Sequence, residues 1–596
     1  MALAAIALYG VGYWFVRLWG LAGFPVYWTV PVSLVLGEAS LSLAVQVLLF
    51  ARVDTKLFLP FLGFVALAAG AAGCAVSIRG RHSVAKPHFG PTERFLLALI
   101  ACSVIVNFAI AASPSTKIDE LFYHMLLPKR IVADGGLRFC LLPVQQAILP
   151  QMHYQILLSI GHALGVPDIG NLASLGFSLA LLAALAGNTF EATGHTGYSL
   201  LIAAAAAAGL HTSVWHTASG AYALGDLATF LAGVALLRPF ADRIGGPRYA
   251  GLVSTLCCVA ASTKLPLWPM AAAGTALGVL RTAPFQGTSG RRAAVVAGAL
   301  TPWAVLHLPL LLWTWHSSGS PWGPAGAGLF GPSVYTPAVA KVLAALGRSS
   351  GAADLAPNIV PWLPPLFWAA VPYLLLRIRT APVGDRILTV VFCLQAALIA
   401  AFFSVEFRYL GGLEYIALFA AAALYFPRAP VAVLKWMVPA LACTCVVPWV
   451  ALQWYYGRPF LQVSSGILSR DAFLSRYVAF HRDFQQLDRL LPARSVLYSE
   501  KDDQEPWFYA PRPVILTMAD WDGKRPVYLF DWEQDGTPAE PLRPRAPPGD
   551  CREVVYRNDH AIITAYRTPG RPAETGTLMV RRCAADIPLV GGDPEQ

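Results

Sequence analysis

Long apolar runs recur in this sequence from its first residues to about residue 456. A helix that crosses the hydrocarbon core of a bilayer needs about 20 mostly apolar residues. The number of these long apolar runs predicts a polytopic all-α membrane protein with about 12–14 transmembrane helices. The candidate spans are 2–19, 26–50, 57–78, 95–112, 171–190, 199–214, 218–237, 250–264, 266–280, 293–315, 359–376, 387–404, 410–426 and 436–454.

Charge is scarce and unevenly distributed. Charged residues make up 13% of the 596 residues, against roughly 25% in soluble domains, which argues against an ordinary cytosolic enzyme. Residues 457–596 carry 38 of the 78 charged side chains. This predicts a soluble C-terminal domain after the last span. It should be an α/β layer structure, with strands near 495–498, 514–516, 526–530 and 560–566 and a helix at 473–491.

The basic residues indicate an orientation in the membrane. Fifteen of them lie in five short loops: 79–94, 238–248, 281–292, 377–386 and 427–435. Cytoplasmic loops collect Lys and Arg, so these five loops are predicted to be cytoplasmic. The long loop 113–170 and the terminal domain then lie outside the inner (plasma) membrane. This topology explains the net charge of +10, and no nucleic-acid partner is predicted.

Loop 113–170 is too polar for a turn and too apolar for a disordered linker, and it predicts short helices at the membrane surface. Its acids Asp119 and Glu120 follow the span 95–112 closely. A carboxylate there could take a proton from an incoming hydroxyl or amine as a general base. A helix N-cap or first-turn acid is the simpler interpretation, and it stays open.

Residues 119–136 read D-E-L-F-Y-H-M-L-L-P-K-R-I-V-A-D-G-G. This stretch resembles the first outer loop of the GT-C superfamily of membrane glycosyltransferases, such as protein mannosyltransferases and aminoarabinose transferases. Four further segments resemble family features in the same order: 221–227, 260–266, 318–324 and 407–410. Ser320 departs from the pattern, because relatives often have Asn there.

The resemblance covers roughly 95–456, here taken as a GT-C-like transmembrane core, and continues loosely into 470–515. Residues 1–94 are predicted to be additional N-terminal transmembrane helices, and 457–596 an extracytoplasmic α/β domain. The family transfers sugar from a polyprenyl-phosphate carrier. The resemblance therefore implies an inverting transfer from a polyprenyl-phosphate-linked sugar to a lipid, glycan or protein acceptor on the extracytoplasmic face, in contact with membrane lipids.

Site residues follow from the resemblance and from chemistry. A lipid phosphate gains negative charge as it leaves, and fixed cations in a site of low dielectric would stabilise it. The expected catalytic residues are Asp119 and Glu120; the phosphate-binding residues are Lys129, Arg130, Lys264 and Arg408; the substrate-binding residues are Tyr123, His124, Asp226 and Tyr409.

Simpler interpretations stay open for the cations. Lys264 interrupts the apolar stretch 250–280, and its side chain could reach the interface by snorkelling. Arg408 could pair with Glu406 or Glu414. Lys129 and Arg130 could instead bind anionic lipid headgroups.

No cofactor is assigned. A divalent metal held by Asp119 or Glu120 with a histidine is left open, because spacing identifies no ligand set among His124, His153, His211, His216 and His316. Cys551 and Cys583 could form a disulfide if the terminal domain faces an oxidising compartment, and this too is left open.

Two other functions fit the sequence in part. A transporter also combines many apolar spans with a few buried charges, although the large outer loop, the outer domain and the lack of a detectable inverted repeat count against it. A non-catalytic GT-C-like scaffold is the third interpretation.

Overall fold

The computed structural model describes residues 2–79, 89–116, 121, 124–138, 152–209, 222–237, 244–264, 267–282, 288–322, 329–333, 412–425, 431–499, 506–515, 521, 523–534, 551–564 and 573–584, with single positions between 366 and 395. Most of this chain is helical, and a small sheet domain lies at its C-terminal end.

The first four helices are long and apolar: α1 (Ala2–Leu18), α2 (Val26–Phe50), α3 (Thr55–Arg79) and α4 (Pro91–Ala111). Helix α1 packs closely against α2 and α3. Glycines permit this approach, since a Cβ atom on Gly12 would lie 1.7 Å from the Ser33 carbonyl oxygen. Small residues at helix contacts are typical of membrane bundles.

The next helices are α5 (Leu126–Asp134), α6 (His153–Ala163), α7 (Ile169–Thr193) and α8 (Thr196–Ala208). Helices α5 and α6 come from the loop predicted to hold surface helices. Helix α6 instead packs against α2 and α3, and its residues from His153 to Ser159 are buried. Its polar groups can be buried there because His153 and Gln155 both form side-chain hydrogen bonds.

The bundle continues with α9 (Tyr222–Leu237), α10 (Gly246–Ala261), α11 (Trp268–Arg281), α12 (Ser289–Leu306) and α13 (Leu308–Ser318). Helices α12 and α13 are bent by 43° at His307. Further along lie α14 (Leu413–Tyr425), α15 (Val431–Leu441) and α16 (Val447–Ser464), and a π-helical turn at Ala442–Val446 joins the last two.

Five helices within the described ranges are long and apolar enough to cross a membrane: Val26–Phe50, Thr55–Ile78, Pro91–Ala111, Ile169–Thr193 and Lys435–Ser464. If the bent pair α12 and α13 forms one span, the number of candidate spans is six. Shorter apolar helical segments lie in α1, α8, α9 and α14. These helices indicate a membrane protein. The predicted spans 359–376 and 387–404 lie, apart from single positions, outside the described residues.

The terminal domain contains α17 (Arg470–Tyr477), α18 (His481–Leu490) and a five-stranded sheet. Its strands are β1 (Val496–Tyr498), β2 (Val514–Ile515), β3 (Val527–Gln534), β4 (Glu553–Thr564) and β5 (Glu574–Arg582). The spatial order is β2-β1-β3-β5-β4. Strands β1, β2 and β3 are parallel, whereas β5 runs antiparallel to β3 and β4.

Two features of this domain differ from the sequence prediction. The helix predicted at 473–491 is two helices, because Phe480 adopts a left-handed conformation with φ 54°. Its N–H donates to the Ile562 carbonyl at 3.0 Å, and its buried ring packs edge-on against Phe530. Strand β5 is an element that the sequence did not predict.

Cys551 and Cys583 form a disulfide. It joins the residue two before β4 to the residue after β5. The pairing that sequence spacing left open is therefore present in the structure.

Candidate functional site

The predicted site residues divide into two groups. Asp119, Glu120, Tyr123, Arg408 and Tyr409 lie outside the described residues, so their roles stay predictions. His124, Lys129, Arg130, Asp226 and Lys264 are described, and they lie in two places.

Tyr222, the first residue of α9, brings three separate segments together. The Lys264 ammonium lies over the Tyr222 ring, 5.1 Å from its centroid, a distance at which a cation is attracted by an aromatic face. The His124 ring meets the same tyrosine edge-on, with centroids 6.0 Å apart. Segments that are about 40 to 140 residues apart in sequence thus meet at one aromatic ring.

His124 is oriented by α6. The Gln155 amide nitrogen lies 2.6 Å from His124 Nδ1, and both side chains are buried. An amide N–H can only donate, so Nδ1 accepts, and a neutral imidazole then carries its proton on Nε2. Gln155 was not among the predicted site residues, because nothing in an apolar helix marks one glutamine as a partner of a distant histidine.

Asp226 lies one turn beyond Tyr222 on α9 and is buried. Residues four apart share a helix face. The chain at Gly412 passes directly against it, since a Cβ on Gly412 would lie 2.6 Å from the Asp226 carbonyl oxygen, and Gly412 has φ 89°. Glu414 follows in α14, is also buried, and interacts electrostatically with Asp226.

The 407–410 segment itself is not described, but its neighbour Gly412 is in contact with the 221–227 segment through Asp226. A second close approach joins 221–227 to 260–266, because a Cβ on Gly225 would lie 2.6 Å from Thr263 Oγ1. Acidic side chains buried in a membrane bundle are costly and mark candidate functional sites. Glu414 was considered only as a partner for Arg408, so its place beside Asp226 is new.

Lys129 and Arg130 lie elsewhere, on α5, and their side chains contact the terminal domain. Lys129 Nζ donates to the carbonyl oxygens of Phe508 at 2.7 Å and Ala510 at 3.1 Å, and it lies 5.5 Å from the centroid of the Phe508 ring. Arg130 donates to the Val514 carbonyl. Burial, with the neighbouring Arg130 charge, lowers the pKa of Lys129 to about 8.

These contacts hold the terminal domain on α5. The phosphate-binding role of Lys129 and Arg130 stays a prediction, and in this arrangement Lys129 would have to share its N–H groups between phosphate and backbone carbonyls.

A second polar cluster lies inside the bundle and was not predicted. Ser42 donates to Glu38 Oε1 at 2.8 Å, and the Gln46 amide lies 2.7 Å from His153 Nδ1. The His153 ring is 5.0 Å from the His307 ring, at the bend between α12 and α13. Glu38 is the only acid in the apolar run 26–50, and that isolation is the sequence signal that could have revealed the cluster.

The described residues contain no group of three or more His, Cys, Asp or Glu side chains able to hold a metal ion. Asp119 and Glu120 lie outside the described residues. Metal binding by either of these acids with a histidine is therefore not tested by the structure.

No protein-family model matches the chain, and no curated protein matches it. Function is therefore inferred from the residues and their geometry.

Proposed function

We propose that this protein is an integral-membrane glycosyltransferase of the GT-C type, which transfers a sugar from a polyprenyl-phosphate donor to an acceptor on the extracytoplasmic face. One observation carries the proposal. His124, Tyr222 and Lys264 come from three of the five segments that resemble the family, and they meet at one aromatic ring. A chance resemblance of scattered motifs gives no reason for them to converge.

In this proposal Lys264 supplies a fixed positive charge for the donor phosphate. The ring of Tyr222 holds the ammonium by a cation–π contact. Negative charge that develops on the leaving phosphate is stabilised most by donors that are already oriented. Asp119 acts as the general base toward the acceptor, and Glu120 is its neighbour or a second acceptor-binding group.

The orientation is also part of the proposal. Disulfides persist in oxidising compartments and are rare in the cytosol, so the Cys551–Cys583 bond supports an extracytoplasmic terminal domain. That agrees with the side indicated by the basic loops. The finer fold, about 12–14 spans in a GT-C-like arrangement, belongs to the same proposal.

The test is a transfer assay with the purified full chain, a radiolabelled polyprenyl-phosphate sugar and a membrane extract as acceptor source. Asp119→Asn should lower turnover on the order of 10²–10⁴-fold, because the amide cannot accept the proton, with donor binding retained. Glu120→Gln should cost less. Lys264→Gln should weaken donor binding about tenfold or more, as expected for a hydrogen bond to a charged group.

Asp134→Asn is the matched control, since Asp134 is an exposed acid of the same loop and should have no effect. Full activity in both Asp119→Asn and Glu120→Gln would reject the enzyme. Flux of the labelled compound across vesicles without release of polyprenyl phosphate would favour the transporter, which also suits buried acids such as Asp226 and Glu414.

A further inference from the structure

We propose that the turn Trp507–Tyr509 of the terminal domain holds the loop that carries Asp119 and Glu120, and that Tyr509 is a positioning residue for those acids. The inference rests on the proposed function for its catalytic meaning, although the contacts that carry it do not.

The chain before the acids is held by Tyr509. Its hydroxyl donates to the Ser115 carbonyl oxygen at 2.8 Å, four residues before Asp119. Ser115 is buried, and its hydroxyl accepts a hydrogen bond from the Asn171 amide of α7 at 2.9 Å. One residue therefore connects the terminal domain, the loop and the bundle.

The chain after the acids is held by apolar contacts from the same domain. Leu121 directly follows Glu120 and is 1% exposed. It belongs to a cluster with Met125 and with terminal-domain side chains that include Phe473 and Phe508. Ser115 and Leu121, on either side of the acid pair in the sequence, thus both contact the terminal domain. In the proposal, these contacts limit the positions open to the two carboxylates.

The turn itself is fixed on both sides. The Lys129 ammonium donates to the carbonyls of Phe508 and Ala510, on either side of Tyr509. The ring of Tyr509 meets His481 edge-on, with centroids 5.6 Å apart. His481 Nε2 in turn lies 3.2 Å from Asp471 Oδ1. The Tyr509 hydroxyl therefore reaches Ser115 from a turn whose backbone and ring are both held.

A domain that only docks on the bundle would need the apolar contacts and the cations, but not a hydroxyl aimed at the backbone of the acid-bearing loop. Tyr509→Phe separates the two ideas, because it removes one oxygen and keeps the ring. Tyr528→Phe is the matched control. Tyr528 is a buried tyrosine of β3, and no hydrogen bond of its hydroxyl occurs among the described residues.

The experiment uses the full chain in detergent. Hydrogen exchange is followed in peptides that cover 108–116 and 121–125, and the kcat and KM for a polyprenyl-phosphate sugar are measured alongside. Tyr509→Phe should accelerate exchange in these peptides about threefold to tenfold, the size expected for one hydrogen bond. The kcat should fall by a similar or larger factor with an unchanged donor KM, and Tyr528→Phe should change neither.

Unchanged exchange in Tyr509→Phe, or an equal effect of Tyr528→Phe, would overturn the inference. A fall in kcat accompanied by a rise in the donor KM of the same factor, without faster exchange, would also overturn the inference. The defect would then lie in donor binding. If the unaltered protein transfers no sugar, the proposed function fails, while the exchange measurement still decides whether Tyr509 holds the loop.

Discussion

His162 shows how one partly buried residue can make the contact between bundle and terminal domain sensitive to pH. Its ring, on α6, meets Phe508 edge-on with centroids 5.8 Å apart. Burial, with a smaller contribution from the Lys129 charge, lowers the pKa of His162 to about 4. The folded protein therefore binds this proton less readily than the unfolded chain, whose histidines titrate near pH 6.5.

The free energy of unfolding should consequently fall as the pH drops from about 6.5 to about 4. The contribution of His162 to this fall is at most about 3 kcal/mol. His162→Phe keeps an aromatic edge against Phe508 and cannot titrate, so its stability should depend less on pH. Denaturant unfolding of both proteins at pH 7.5, 6 and 5 would show this. Parallel curves for the two proteins would mean that His162 does not contribute.

At the residue level, sequence reasoning found the residues with unusual chemistry and missed their partners. Lys264 stands out because it is a lone charge in an apolar stretch, and the structure brings it to Tyr222. Gln155 and Tyr509 do not stand out, because a glutamine in a helix or a tyrosine in a turn has many ordinary uses. Their significance depends on contacts with chain that is 31 and 394 residues away.

At the level of elements, the length of the apolar runs located these helices well, since the predicted runs 26–50 and 171–190 fall within α2 and α7. It failed where tertiary contacts override local pattern. Strand β5 pairs with β3 and β4 on either side, although it ends in two arginines that read as polar surface. The amphipathic run 473–491 reads as one helix, because a helix break at Phe480 has no Gly or Pro to mark it.

Phe480 should be among the most sensitive positions of the terminal domain. It is fully buried, and its ring contacts Phe484, Phe530 and Trp532. Phe480→Ala should destabilise the domain by about 3–5 kcal/mol, the cost of removing a large core aromatic. The same substitution at Leu490, which is 51% exposed in α18, should cost little.

Limited proteolysis of the full chain would compare the two variants. Phe480→Ala should release fragments from the terminal domain at protease concentrations that leave Leu490→Ala intact. Equal resistance would show that the break between α17 and α18 is not supported by the core beneath it.

For the whole molecule, every functional statement depends on which side of the membrane the terminal domain occupies. Two independent features favour the extracytoplasmic side: fifteen basic residues in loops predicted to face the cytoplasm, and a disulfide across the ends of β4 and β5. The first depends on membrane insertion and the second on the redox state of the compartment. Agreement between them is therefore informative.

Single cysteines at Asp559 and Arg291 would test this orientation, because both positions are exposed. The six described free cysteines, together with Cys140 and Cys393, would first be replaced by Ala or Ser. In intact cells whose outer barrier has been opened, a membrane-impermeant maleimide should label Asp559→Cys and leave Arg291→Cys unmodified until the cells are lysed. Cys551 and Cys583 should stay unlabelled in the parent until a reductant is added, since the disulfide blocks both thiols.

Labelling at 291 with protection at 559 would place the terminal domain in the cytosol and Asp119 with it, away from a donor presented on the outer face. A phosphate held by Lys264 could not then be the leaving group of an extracytoplasmic transfer, and the transporter or scaffold would be the better interpretation of the same buried charges.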